Sequence, residues 1–179
     1  MDPITLITSI IPLITGRFAD ARQLAEAERI AIRLIRMELR INASIIDCVI
    51  PNTAAKTTLK LTDVVAIEII KHLSTDYARA LLGGIGVPSL VVTGLDAKTR
   101  NLINKDKLPV QIKTSKKGSP VSLTLLDLLD YLIRKDKEMK ALSAIAPIAG
   151  KSICSPDWTV RLKNFQTVSI AAITALPKD

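Results

Sequence analysis

Aromatic residues are scarce: two Phe, two Tyr and one Trp make up 3% of 179 residues. The apolar mass, 48% of the chain, is therefore aliphatic. There is one histidine, His72, and two cysteines, Cys48 and Cys154, far apart and without a CxxC pair. That set excludes a Cys/His zinc site and leaves no histidine pair for acid–base chemistry. Both cysteines sit beside aliphatic residues and are expected to be reduced core thiols. No cofactor and no metal are expected. Glu68, His72 and Asp76 follow at steps of four, but spread over three turns of one helix they read as an exposed polar face rather than a metal cage.

What is present is positive charge and aliphatic surface. Lys and Arg outnumber Asp and Glu by 25 to 17, a balance that favours anionic partners such as phospholipid or nucleic acid. The aliphatic excess implies apolar surface to hide in a bilayer or between subunits.

Helical periodicity dominates, and the expected class is all-α: a long N-terminal hydrophobic and amphipathic helix followed by a small helical body. Asp2 and Pro3 suit a helix start. With no positive segment before the apolar run, a signal peptide is not expected. Pro12 and Gly16 interrupt this helix without ending it, and Pro51 closes it. Residues 1–50 are read as a membrane or oligomerisation helix and 51–179 as a cytoplasmic body. Within the body, Thr62 is expected to cap a single helix over 63–82, stopped by "GGIG". Residues 87–119 read as loop, with a short β-hairpin across Lys117-Gly118 in "VQIKTSKKGSPVSL". Further helices are expected over 123–145 and, capped by Asp157, over 158–176.

Two stripes on the N-terminal helix carry information. In "ITLITSIIPLITGRF", Thr5, Thr8 and Ser9 share a face with Pro12 and Gly16 and continue to Thr15, opposite an aliphatic face. Small and hydroxyl-bearing residues on one side of an apolar helix suit a close helix seam or a wet lumen. The run is about a dozen residues, roughly 18 Å, against a hydrocarbon core of about 30 Å. To span a bilayer the helix must take in Arg17, Asp20 and Arg22, facing a channel or partner subunits. Packing as an arm on its own domain, or on a neighbour, is the alternative. Further on, Arg22, Arg29, Arg33, Arg36 and Arg40 form a narrow face suited to assembly or anion binding. Glu28, Glu38 and Asn42 fall inside the apolar sector, where an unpaired carboxylate costs several kcal/mol. Arginines of a neighbouring copy are the expected partners.

Near the C-terminus stands "RLKNFQ", with Arg161, Asn164 and Gln166. This resembles the motif of HEPN-class RNA-binding proteins and ribonucleases, in which an arginine precedes a histidine by about five positions. Gln166 occupies the histidine place, so the resemblance implies phosphate contact by Arg161 and Asn164 without acid–base catalysis. The layout of an apolar N-terminal helix, a small basic body and this motif resembles the membrane-pore accessory proteins of type VI CRISPR systems. That resemblance implies a non-enzymatic, pore-forming homo-oligomer in antiviral defence. It would sit at the inner membrane with its body in the cytoplasm, with membrane lipid and an RNA or RNA-guided nuclease complex as partners. The alternative is a soluble HEPN-like RNA-binding module or degenerate ribonuclease.

Overall fold

The computed structural model describes residues 21–50, 61–84, 91–106, 122–146 and 157–177. Six helices lie among them: α1 (Ala21–Val49), α2 (Asp63–His72), α3 (Asp76–Gly84), α4 (Ala97–Asp106), α5 (Leu125–Ile145) and α6 (Trp158–Ala175). No strand occurs among the described residues. An isolated antiparallel bridge joins Val91 to Thr124, and Val92 N–H donates to Leu123 C=O at 2.8 Å. The all-α class stands. Most of the expected hairpin, and Thr5, Thr8, Ser9 and Thr15, lie outside the described residues. No described helix is long and apolar enough to cross a membrane.

Local chemistry fixes the ends of α5 and α6. Thr124 and Asp127 form a reciprocal capping box at α5, with Thr124 N–H donating to Asp127 Oδ2 at 2.8 Å. The Asp157 carboxylate accepts from Val160 N–H at 3.0 Å and caps α6. Each arrangement satisfies amide donors that a helix start leaves unpaired.

Helix α6 runs through the centre and packs on α1, α2, α4 and α5. Its fully buried residues include Trp158, Leu162, Phe165 and Val168. Helices α1 and α6 are antiparallel: Gln166 Nε2 donates to Ala43 C=O at 3.2 Å, while Arg36 reaches Pro177 C=O at the other end. Ile35, Leu39, Ile46 and Ile50 of α1 join the same core as the residues after 61. Residue 50 therefore does not divide two cores.

Four expectations need correction. The helix read over 63–82 breaks at Leu73-Ser74-Thr75, where Leu73 turns extended. Thr62 occupies the N-cap position, but its side chain makes no capping bond. The segment read as loop over 87–119 contains α4, nucleated by Asp96, which accepts from Thr99 N–H at 2.7 Å and Thr99 Oγ1 at 2.8 Å. Cys48 is a free and exposed thiol, not a core residue.

The break at 73–75 has an identifiable cause. Asn42 Oδ1 accepts from Ser74 N–H at 3.0 Å, and Asn42 Nδ2 donates to Ser74 C=O. The Glu38 carboxylate accepts from Ser74 Oγ at 2.6 Å, Tyr77 N–H at 3.1 Å and Ala78 N–H at 3.2 Å. It thus caps α3 from a different helix. On the other side, Thr75 Oγ1 donates to buried Asp136 at 2.9 Å, and Lys140 Nζ donates to Leu73 C=O at 2.9 Å. The partners of Glu38 and Asn42 are therefore main-chain and hydroxyl groups of this link, not arginines of a neighbouring copy.

Candidate functional site

Helix periodicity separates two faces of α6. Leu162, Phe165, Gln166 and Ser169 are buried, whereas Asp157, Val160, Arg161 and Asn164 line an open groove of about 410 Å³. Helix α4 contributes Leu102 and Lys105, and α5 contributes Tyr131, Lys135, Glu138 and Met139. The groove brings together Arg161 and Asn164 and adds two lysines that sequence reasoning missed.

Glu138 is its electrostatic centre. Lys135 Nζ lies 2.7 Å from Glu138 Oε2, and the Arg161 guanidinium donates to Glu138 Oε1. Lys135 Nζ also stands 5.8 Å from the centre of the Tyr131 ring, a cation–π approach. Partial burial pushes the Glu138 carboxyl upward, but hydrogen bonds and charge from Lys135 and Arg161 outweigh it and hold the group below its ordinary range. A carboxylate held ionised by two cations is a poor proton acceptor near neutral pH. It neutralises the groove rather than serving as a base.

Gln166 is not part of this site. Five residues past Arg161, it is turned by roughly 140° about the helix axis. It is 5% exposed and donates to Ala43 C=O and, at 3.4 Å, to Asp47. The Arg161…Gln166 spacing therefore does not assemble one pocket.

The arginine stripe is divided in its contacts. Arg29 pairs with Glu26 at 3.0 Å on an exposed surface. Arg36 fastens the end of α6 through Pro177, while Arg33 and Arg40 are exposed. The Arg22 side chain lies outside the described residues. His72 faces Glu68 at 3.5 Å with both side chains exposed. Asp76 belongs to the next helix and pairs with Arg79 at 3.5 Å. Among the described residues no cluster of three His, Cys, Asp or Glu could hold a metal ion.

A second cleft of about 460 Å³ lies between residues 91–96 and the Thr167, Ile170, Ala171 and Thr174 face of α6. Its one ionisable group is Asp96, already engaged in capping α4. Comparison with family models, curated proteins and solved structures finds no match for this chain.

Proposed function

We propose that the helical body is a non-catalytic RNA-binding module that takes a phosphodiester strand along the α4–α5–α6 groove. The observation that carries this reading is the convergence of Arg161, Asn164, Lys135 and Lys105 on one open surface, in a chain with a formal charge of +8. Arg161 offers a planar fork for a phosphate oxygen pair, Asn164 an amide donor, and the lysines diffuse positive charge. Glu138 holds the two nearer cations until a phosphate competes for them. The groove carries no histidine, and its two carboxylates are engaged, one by cations and one in capping α6.

Arg161→Ala is expected to weaken binding of a labelled single-stranded RNA about tenfold, the equivalent of about 1.4 kcal/mol. Its salt dependence should become shallower, because one phosphate contact is lost. Glu138→Gln should tighten binding by releasing Lys135 and Arg161. Wild-type protein should leave the RNA intact. Anisotropy titrations at several salt concentrations read all of this. Unchanged affinity in Arg161→Ala sinks the reading, and metal-independent cleavage abolished by that substitution replaces it with a ribonuclease.

A second reading, an oligomeric accessory protein that forms pores at the inner membrane in antiviral defence, is favoured by the hydroxyl stripe that precedes α1 in the sequence. The hydroxyl stripe of Thr5, Thr8, Ser9 and Thr15 would then line a seam or lumen. Replacing Thr5, Thr8 and Ser9 with leucine should preserve liposome binding and abolish leakage, since the small surface for backbone approach is gone. If the segment is instead a soluble packed arm, the same variant melts lower through overpacking of roughly 1–3 kcal/mol and neither protein causes leakage.

A further inference from the structure

On the side of α1 away from the core runs a second periodic stripe. Ile30, Leu34, Met37, Ile41, Ser44 and Cys48 follow at alternating steps of four and three residues, the spacing that keeps one seam aligned along a helix pair. Met37 is 46% and Ile41 50% exposed. Ser44 and Cys48 are exposed, and Ile30 and Leu34 are half-buried. The core side of the helix is a different set, with Ile35, Leu39, Asn42 and Ile46.

We infer that this stripe is the seam of a homodimer in which α1 pairs antiparallel with α1 of a second copy. Side-chain size argues for self-pairing in this sense. The bulky members stand in the first two-thirds of the stripe and the small ones, Ser44 and Cys48, at its end. Parallel pairing would set Ser44 on Ser44 and Cys48 on Cys48, leaving thin layers beside thick ones. Antiparallel pairing sets Ile30 against Cys48 of the second copy, Leu34 against Ser44 and Met37 against Ile41. Each small residue then faces a bulky one, and thickness varies less from layer to layer than in the parallel arrangement, which favours close packing.

Charge agrees with this register. Arg33 lies within roughly 3 Å along the helix axis of Asp47 of the second copy, twice by symmetry, while Arg40 meets its own mate near the two-fold axis. Two opposite-charge pairs thus stand against one like-charge pair. An isologous contact of this kind closes on itself as a dimer. The seam is roughly 27 Å long, which places the interface among the smaller stable ones, so the dimer should dissociate on dilution. The groove includes no α1 residue, so dimerisation and RNA binding can fail separately.

Thiol chemistry tests the orientation. In Ile30→Cys, oxidation of the full chain by copper–phenanthroline should link the introduced thiol to Cys48 of the second copy at both ends of the seam. Adding Cys48→Ser should remove the link, and wild type should give none through Cys48. Met37→Glu with Ile41→Glu should sediment as a monomer, with unchanged helical circular dichroism and unchanged RNA affinity. A monomeric wild type at high micromolar concentration overturns the inference. So does a Cys48–Cys48 link in wild type, which indicates parallel helices, and so does a double variant that remains dimeric.

Discussion

Glu38→Ala is expected to lower the unfolding free energy by about 2–4 kcal/mol, because it removes the acceptor for three donors in the interior. Ser74 Oγ, Tyr77 N–H and Ala78 N–H all end on this carboxylate, and the side chain belongs to a residue only 4% exposed. Two of the donors are first-turn amides of α3, so the substitution is also the loss of a helix cap, typically worth about 1 kcal/mol. Removing a desolvated charge returns part of the loss, which is why the expected figure stays below the sum of three orphaned donors. A fall in melting temperature of about 10 °C follows for a domain of this size. Thermal melts followed by circular dichroism check it. A change of only a degree or two would mean that water replaces the carboxylate without strain.

The same residue gives stability a pH dependence of definite sign. Burial raises the Glu38 carboxyl above its ordinary 4.5, only partly offset by the hydrogen bonds from Ser74, Tyr77 and Ala78. The folded state therefore holds this proton at pH values where the unfolded chain has released it. Between 4.5 and the raised folded value, stability must fall as pH rises. Glu38→Ala lacks this slope. The stability difference between wild type and variant should then widen on acidification from neutral pH toward 4.5, as read from denaturant titrations at fixed pH. A difference that narrows instead would mean that the carboxylate is more stabilised by its donors than destabilised by burial.

The sequence makes α5 and α6 legible because their signals are local. Thr124-x-x-Asp127 and Asp157 are caps that act within three residues, and the apolar steps that follow are long enough to be unambiguous. The break at Leu73-Ser74-Thr75 is not local. Its short polar residues would continue a helix if Glu38 and Asn42, more than thirty positions earlier, and Asp136 and Lys140, more than sixty later, did not claim its backbone and hydroxyl groups. That Glu38 and Asn42 needed partners was readable from their place in an apolar sector, but not which groups would supply them. Helix α4 escaped because its apolar face is two residues, Leu102 and Ile103, too few to set a period. Its signal was Asp96 with Thr99 three residues on. In the groove, Arg161 and Asn164 are three apart and so share a face by helix geometry alone. Lys135 and Glu138 join them only through the packing of α5 on α6.

Phe165→Ala should be the most damaging single change in the core, at about 3–5 kcal/mol. Phe165 has no exposed surface and is among the largest fully buried side chains. It lies midway along α6, the helix that packs on α1, α2, α4 and α5. A cavity there withdraws contacts from a helix on which four others rest, so partial collapse of one neighbour cannot fill it without disturbing another. Phe165→Leu keeps most of the volume and should lose less than half as much. The lone tryptophan, Trp158, reports both, since its indole N–H donates to Asp63 at 3.0 Å and ties the start of α6 to the start of α2. Fluorescence and circular dichroism should give coincident unfolding transitions in each variant. If Phe165→Ala instead loses the Trp158 signal while α1 stays helical, then α6 comes away as a separate unit. The α4–α5–α6 groove, which includes Arg161 and Asn164 of that helix, would be lost before the rest of the body unfolds.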